Sequence, residues 1–305
     1  MAYLTIFTAP KPLTNPHIAM IQRNAIRSWK ALGDEVDVIL IGQEEGLSEA
    51  ARDLGVRYFP NVRRNAYGTP LVSSMFDLAR QASTSPLLAC VNADILLMPD
   101  LFLGLRAIHR KESKFLMIGQ RWDLDVRELL EFSDGWSERL RYRTHTQGRL
   151  HRASGSDYFV FPRECYTSIP DFAIGRAGWD NWMIYEGRQR GWRVVDASLD
   201  VMVIHQNHDY SHLPGGQPHY RLPETTDNVR LMLSPRCVFE LPDASHRLEN
   251  GVLKRQRWHW RRFWREVEIF PLVRLKSPLL AELMYAFFHP YKAYAEYRAR
   301  SKRNP

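Results

Sequence analysis

Cysteine is scarce in this chain, and its three copies are widely separated. They are Cys90, Cys165 and Cys237, and Cys90 lies inside an apolar run. Disulfide frameworks and cysteine metal sites are usually marked by numerous or closely spaced cysteines, so neither is predicted. We therefore expect a reducing, cytosolic environment.

Long apolar runs and an export signal are also missing. Residues 4–7 have the pattern of a strand, without the basic and then apolar segments of a signal peptide, so export is not expected. The longest nearly uncharged apolar stretch, residues 278–288, is too short to span a bilayer. Apolar residues nevertheless make up 45% of the 305 positions, enough for a full core. The composition predicts one large or two smaller folded domains without a transmembrane helix.

Positive charge is concentrated at one end of the chain. Residues 254–305 hold 13 Lys and Arg but only four Asp and Glu, a net +9, whereas the remaining 29 basic and 30 acidic residues leave −1 for residues 1–253. This asymmetry marks a boundary near residue 245. We predict a catalytic or binding domain over residues 1–245 and a basic, aromatic-rich helical tail over residues 246–305.

Strand-like apolar runs alternate with segments of helical spacing in the first hundred residues. Such alternation with short connections predicts an α/β fold, with a mostly parallel sheet flanked by helices. Strands are expected at 4–7, 36–41, 56–59, 87–91, 115–119, 157–161 and 201–204. A further helix is expected at 176–190, and the polar stretch 120–154 has the length of a lid or binding loop, or is poorly ordered.

Polar residues directly follow the expected central strand at 87–91. Asn92 and Asp94 are two positions apart, so in extended backbone their side chains point the same way. Ligands bind beyond the carboxyl ends of strands in open α/β sheets. A carboxylate beside an amide oxygen suits Mg²⁺ or Mn²⁺ that also holds a diphosphate. The alternative is that the two residues only form a turn and cap the helix starting near Pro99.

A second candidate anion contact lies in residues 65–70, Asn-Ala-Tyr-Gly-Thr-Pro. The amides of Gly68 and Thr69 could approach a phosphate ahead of a helix. The same segment could equally be an N-terminal helix turn with Pro70 at the first helical position.

Histidine is dense in one segment, where His205, His208 and His212 lie within eight residues. A neutral imidazole at a strand end, such as that of His205, is a good ligand for Mn²⁺. The alternative is a hydrogen-bonded histidine at a strand terminus. An independent zinc hydrolase centre is not favoured, because the spacing matches no zinc motif.

The order of these motifs resembles that of the GT-A fold glycosyltransferases. Residues 92–94 would be the DxD-like element of that family, and residues 155–157, Gly-Ser-Asp, match its glycine loop loosely. Asp180, after Trp179, matches its acidic residue at a helix start, and His205 falls where its later histidine would be. The resemblance covers roughly residues 3–212. Asn92 departs from the pattern, because the family has an aspartate there.

The resemblance implies a GT-A-like, hexosyltransferase-like enzyme that moves a sugar from a nucleotide-sugar donor to a hydroxyl acceptor. The expected metal is Mn²⁺ or Mg²⁺, held by Asp94 and His205. Asp180 would accept the acceptor's proton, as an inverting mechanism requires, or would only cap its helix.

The remaining candidate residues divide between the donor and the acceptor. The donor is expected to contact the segment after the first strand, the glycine turn and the DxD-like element: Thr8, Ala9, Pro10, Gly68, Thr69, Asn92, Ala93 and Asp94. The acceptor or the transferred sugar is expected to contact indoles and polar side chains in the later part of the domain: Trp122, Asp157, Trp179, Asn181, Trp182 and His208.

The tail interleaves basic residues with tryptophan, as in residues 254–265, KRQRWHWRRFWR. This pattern suits an anionic membrane surface, a self-packing helical appendage, or nucleic acid. Nucleic acid is the least favoured, because no nucleic-acid motif occurs elsewhere.

The acceptor would be a glycan, a lipid-linked molecule or a small molecule, and the protein would be cytoplasmic, with peripheral binding at the inner face of the membrane. The alternative to an enzyme is a non-catalytic sugar-nucleotide or glycan binding protein that retains the fold.

Overall fold

The computed structural model describes residues 1–154, 156–208 and 222–301. Two residues singled out in the sequence, Gly155 of the expected glycine loop and His212 of the histidine segment, lie outside this part of the chain.

The described residues alternate strands and helices over most of their length. The strands are β1 (Leu4–Thr8), β2 (Val36–Ile41), β3 (Arg57–Phe59), β4 (Leu87–Val91), β5 (Ile95–Leu97), β6 (Phe115–Ile118), β7 (Arg121–Leu124), β8 (Arg149–Leu150), β9 (Tyr158–Pro162), β10 (Arg193–Asp196), β11 (Val203–Gln206), β12 (His246–Glu249) and β13 (Val252–Arg255). The helices are α1 (Pro16–Lys30), α2 (Leu47–Leu54), α3 (Val72–Ala82), α4 (Asp100–His109), α5 (Trp136–Gln147), α6 (Trp179–Gln189), α7 (Pro223–Leu231), α8 (Trp260–Val273), α9 (Pro278–Phe288) and α10 (Pro290–Ser301).

The main sheet contains nine strands in the order β13-β12-β10-β6-β9-β4-β1-β2-β3. The four neighbouring strands β4, β1, β2 and β3 are parallel to one another. The strands β6, β10 and β12 are also parallel to one another. β9 runs antiparallel between β4 and β6, and the β12–β13 hairpin is antiparallel. The prediction of an α/β fold with a mostly parallel sheet flanked by helices is confirmed.

Side chains alternate between the two faces of this sheet and fill two separate cores. On β1, Ile6 packs with Trp29 of α1 in one core. The next residue, Phe7, packs with Phe76 of α3 in the other core, their rings 5.0 Å apart at 85°. This period of two explains why the central strands are apolar on both faces.

A second sheet of four strands, β5-β11-β7-β8, begins where the central strand ends. β5 starts four residues after β4 and pairs with β11. The prediction of a loop over residues 120–154 is wrong, because this stretch contains β7, α5 and β8. The polar residues of β7 obscured its alternation, since Arg121 and Asp123 share one face while Leu124 packs in a small core with Leu140 of α5.

The sheet continues past residue 245, because β12 pairs in parallel with β10. The helical part of the tail begins at Trp260. Ile269 and Leu272 of α8 and Ala281 of α9 are buried in the same core as Phe7. Within the described residues no helix is both long and apolar enough to cross a bilayer.

Candidate functional site

The carboxyl ends of β1 and β4 lie side by side, because the two strands are parallel neighbours. Residues 9–11 leave β1 at this edge, and residues 92–94 leave β4. The small sheet adds His205 from β11 and Asp123 from the adjacent β7. The edge therefore gathers polar side chains from four chain segments at the place where open α/β sheets bind ligands.

Asp94, His205 and His208 form a group able to hold a metal ion. One ligand atom from each residue can be chosen so that all three lie within 4.8 Å of one another. Asp94 Oδ2 lies 3.0 Å from His208 Nε2. Two ligands about 2.1 Å from a single Mg²⁺ and at right angles are about 3.0 Å apart. The donor set, a carboxylate with imidazoles, is one that Mn²⁺ accepts.

Asp94 Oδ1 is buried without a hydrogen-bond partner among the described residues, and His205 Nδ1 has only the Asp123 carboxylate, 3.5 Å away. Buried polar atoms are almost always satisfied, so such exceptions call for an explanation. Together with the donor chemistry, they are consistent with a cation. The metal residues predicted from the sequence, Asp94 and His205, are thus brought together, and His208 joins them although we expected it at the acceptor.

Lys11 is a member of the site that the sequence reasoning missed. Its Nζ lies 3.5 Å from Asp94 Oδ2 and 3.1 Å from His208 Nε2. Burial raises the pKa of the Asp94 carboxyl, but the hydrogen bond with His208 and the charges of Lys11 and His205 outweigh it and hold the pKa well below its usual range. Asp94 is therefore a carboxylate at neutral pH.

Asn92 forms a turn after β4. Its Nδ2 donates to Asp157 Oδ1 over 2.9 Å, and its backbone carbonyl accepts from the Ile95 N–H, which closes the turn. The turn that the alternative expected is present, and a contact of the Asn92 amide oxygen with a metal or donor remains a prediction. The capping alternative is wrong for both residues, because α4 has Pro99 at its N-cap and no side-chain cap.

Asp157 links this turn to β7. Both of its carboxylate oxygens accept from Arg121 Nη1 over 2.8 Å. The other side of the Arg121 guanidinium donates from Nε to Asp123 Oδ1 over 3.0 Å. Charge-assisted contacts of this kind fix the geometry of planar groups, so Asp157 is held as part of the wall of the site.

Asp123 lies behind His205. Its Oδ2 accepts from His151 Nδ1 over 2.7 Å, and its Oδ1 lies 3.5 Å from His205 Nδ1. Burial raises the pKa of Asp123, yet the two imidazoles and Arg121 hold it well below its usual range. A carboxylate behind an imidazole fixes the orientation of a metal-ligating histidine.

Asp180 lies in the first turn of α6. The N-cap is Gly178, with φ +112°, and its N–H donates to Asp180 Oδ1 over 3.2 Å. Burial raises the pKa of Asp180 to about 6, the backbone N–H groups of Asn181 and Gly178 oppose the rise, and the charge of Asp157 adds to it. Asp180 is therefore not an N-cap residue, and its carboxylate is more basic than an ordinary one.

The indoles predicted to contact the acceptor pack elsewhere. Trp179 and Trp182 are 5% and 6% exposed, and each packs against a phenylalanine of the core. Asn181 donates from Nδ2 to the Phe239 carbonyl over 2.8 Å. The prediction of an open acceptor platform at this helix start is wrong, because apolar spacing on α6 turns these rings inward.

Trp122 also lies away from the site. On β7 it alternates with Arg121 and Asp123, so its side chain takes the opposite face of the small sheet. There it makes an edge contact with His145 of α5 at 5.1 Å. The prediction of Trp122 as an acceptor contact is corrected to a packing role.

The glycine turn is closed on itself. The Gly68 N–H donates to the Asn65 carbonyl, and the Thr69 N–H donates to Asn65 Oδ1 over 2.9 Å. Neither amide is available to a phosphate, so the prediction of donor contacts here is wrong. The alternative of a helix start at Pro70 is also wrong, because α3 begins at Val72.

Thr8, Ala9, Pro10 and Ala93 lie at the sheet edge where we predicted donor contacts. Thr8 ends β1 beside the end of β4, and Thr8 and Ala93 are nearly buried. Their contacts with a donor remain a prediction.

The residues that sequence reasoning missed had weak signals. Lys11 follows β1 directly, so the rule applied to the end of β4 could have found it. Arg121 and Asp123 lay in a stretch interpreted as a loop, and only a strand there would have placed them on one face.

No protein-family model and no curated protein matches the chain. Among solved structures, it is similar to a glucosyl-3-phosphoglycerate synthase from Mycobacterium tuberculosis in complex with Mn²⁺, UDP-glucose and phosphoglyceric acid. The two are 15% identical, with 78% of this chain and 80% of that chain covered and a TM-score of 0.47. A putative nucleotide-diphospho-sugar transferase from Desulfovibrio desulfuricans G20 is 13% identical, with coverages of 65% and 80% and a TM-score of 0.40.

A mannosyltransferase from Pyrobaculum calidifontis in complex with GDP-Man and Mn²⁺ is 13% identical, with a TM-score of 0.41. The match covers 69% of this chain and 58% of the mannosyltransferase, so the chain spans little more than half of that protein. By their names, these three similar structures are sugar transferases or synthases.

Proposed function

We propose that the protein is a glycosyltransferase that moves a sugar from a nucleoside-diphosphate donor to a hydroxyl acceptor. The observation that carries the proposal is the convergence of Asp94, His205 and His208 at the carboxyl edge of the sheet. A donor diphosphate would meet this group beside Lys11. The motif order that resembles GT-A enzymes supports the same assignment.

The donor would lie along the ends of β1 and β4. Residues 8–10 would contact the nucleoside, and the Lys11 ammonium would face the diphosphate as a fixed positive charge. Such pre-arranged charge stabilises the negative charge that develops on a departing diphosphate. When Mn²⁺ or Mg²⁺ is held by Asp94, His205 and His208, it supplies the same stabilisation as a Lewis acid.

Asp180 would be the general base of an inverting transfer. A pKa of about 6 leaves the carboxylate mostly ionised at neutral pH and more basic than usual, and a base is most useful when its pKa is near the working pH. The charge of Asp157 links Asp180 to the site, since Asp157 also holds Asn92 and Arg121. The negative charge of Asp157 would then help to raise the pKa of Asp180, and the acceptor hydroxyl would approach between Asp180 and the donor.

The tail would hold the enzyme at an anionic membrane surface on the cytosolic side. Trp258 and Trp260 are 73% and 61% exposed, and Leu279 and Phe287 are exposed further along the tail. Indoles favour the membrane interface, and basic residues meet acidic lipid there. A tail that packs on α6 through α8 and presents aromatic residues outward would bring a lipid-linked or glycan acceptor to the site.

A donor screen tests the proposal. The protein is incubated with Mn²⁺ and a panel of UDP-, GDP- and ADP-sugars, with and without sugar and lipid-linked acceptors, and release of the nucleoside diphosphate is measured. Acceptor-dependent release that is lost in Asp180→Asn is the expected result. Tight nucleotide binding without release would favour the non-catalytic alternative, and absence of both binding and release would overturn the proposal.

A further inference from the structure

Lys11 shares its contacts with the candidate metal site. Its ammonium lies 3.5 Å from Asp94 Oδ2 and 3.1 Å from His208 Nε2, and these are two of the residues that would hold a divalent ion. An ammonium cannot be a metal ligand, because it has no lone pair. The Lys11 ammonium therefore places a positive charge beside two of the residues that would hold a divalent ion.

The backbone of Lys11 is fixed by a buried side chain. The Lys11 N–H donates to Gln22 Oε1 over 2.7 Å, and Gln22 Nε2 donates back to the Lys11 carbonyl over 3.0 Å. Gln22 itself is 1% exposed. These two hydrogen bonds hold the backbone of Lys11 at the sheet edge, from which its side chain reaches Asp94 and His208.

Lys11 is the cation that pairs with Asp94. The neighbouring carboxylates of Asp123 and Asp157 both pair with Arg121 instead. A divalent ion that binds Asp94 would therefore lie close to the Lys11 ammonium, and the two cations would repel each other.

The Lys11 side chain is also partly exposed to solvent. It is 30% exposed, against 12% for the Asp94 side chain. It can thus contact Asp94 on one side and an incoming anion on the other.

We propose that Lys11 is the built-in cation of the donor site: it competes with a divalent ion for Asp94 and His208, and it lets the protein bind a diphosphate without metal. When a diphosphate and a divalent ion are both present, the ammonium turns to the diphosphate and releases the two ligands. This inference rests on the proposed function, since it takes the site to be one for a donor diphosphate.

The test uses inorganic pyrophosphate and Mn²⁺ alone, so it requires no transfer reaction. Pyrophosphate binding is measured by calorimetry in EDTA, and Mn²⁺ binding without any phosphate is measured from the free-ion signal in electron paramagnetic resonance. Lys11→Met removes the charge and keeps the length, Lys11→Arg keeps the charge, and Lys111→Met, at an exposed position after α4, is the control. Circular dichroism checks the fold of each variant.

The two readouts should move in opposite directions. Lys11→Met should weaken pyrophosphate binding in EDTA by at least about thirtyfold, and it should tighten Mn²⁺ binding by about tenfold or more because the competing charge is gone. Lys11→Arg should stay within about threefold of the wild type for pyrophosphate, and Lys111→Met should change neither affinity.

Two failures are distinguishable. If the wild type binds pyrophosphate and Mn²⁺ but Lys11→Met alters neither affinity, the inference about Lys11 is overturned and the donor site stands. If the wild type binds neither, the donor site itself is wrong and the proposed function falls with it.

Discussion

Replacing Asp180 with asparagine should lower activity and raise stability at the same time. Burial raises the pKa of this carboxyl from 3.8 to about 6 in the folded protein. Since one pKa unit corresponds to about 1.36 kcal/mol, the ionised carboxylate costs the folded state about 3 kcal/mol at neutral pH. Asparagine has nearly the same shape, and its carbonyl oxygen can still accept from the Gly178 N–H.

The sign of the effect follows from the raised pKa. A carboxyl with a raised pKa in the folded state favours folding while it is protonated, below about pH 4, and this contribution is lost as the pH rises through 6. Asp180→Asn should therefore match the wild type in stability near pH 4 and exceed it by up to about 3 kcal/mol at pH 7. In a chain of this size, each kcal/mol raises the melting temperature by roughly 1.5 to 2 °C.

Turnover should change in the opposite direction. Loss of a general base lowers the rate by about 10² to 10⁴, and donor affinity should change little because Asp180 does not contact the metal group. The kcat/KM of the wild type should rise with pH through an apparent pKa near 6. Melting curves at pH 4 and pH 7, with transfer rates for the same samples, check both parts. Asp227→Asn, at a half-exposed position of α7, is the matched control. Surviving turnover would refute the role as base, and a loss of stability at pH 7 would refute the electrostatic reasoning.

Three further outcomes are expected. Leu272→Ala should cost about 2 to 5 kcal/mol of unfolding free energy in urea, because Leu272 of α8 is buried in the main core, and an unchanged midpoint would show that the tail is not docked. The full chain should sediment with anionic liposomes, and the sedimented fraction should fall as the salt concentration rises. Trp258→Ala combined with Trp260→Ala should reduce the fraction that still sediments at high salt, whereas the control Tyr142→Ala should not. A wild type that stays in the supernatant at low salt would contradict the membrane proposal. Asp123→Asn should weaken Mn²⁺ binding by about tenfold or more by loosening His205, with pyrophosphate binding in EDTA unchanged, and equal metal affinity would leave Asp123 a structural residue.

The order of the first strands and helices could be predicted from the sequence because β1 and β4 are buried along their whole length and β2 over its last four residues. β4 consists of five apolar or small residues followed by polar ones, and this pattern predicts that Asp94 lies just beyond the end of a strand. His205 was placed at a strand end by the same reasoning. These are local signals, carried by residues that are adjacent in the chain.

The remainder depended on contacts that are distant in sequence. Lys11 and His208 are 197 positions apart, and only the pairing of β11 with β5 and β7 brings the histidine to the end of β1. The small sheet could not be predicted from the sequence, because one face of β7 carries the polar residues that form the wall of the site and so hides the alternation of a strand. Trp179 and Trp182 misled the prediction, since an indole beside an acidic motif can belong to the core or to a binding surface, and only burial distinguishes the two.

The central claim is that Asp94 holds a donor together with a divalent ion. Melting of the wild type and of Asp94→Asn is compared with a nucleoside diphosphate or its sugar, each with and without Mn²⁺. At a nucleotide concentration 100 times its dissociation constant, binding should stabilise the wild type by about 2.7 kcal/mol, and Mn²⁺ should deepen this effect only while Asp94 is present. Asp94→Asn should melt cooperatively and lose the Mn²⁺-dependent part. A wild type whose melting is unchanged by every nucleotide, or a variant that keeps the full Mn²⁺ effect, would contradict the claim.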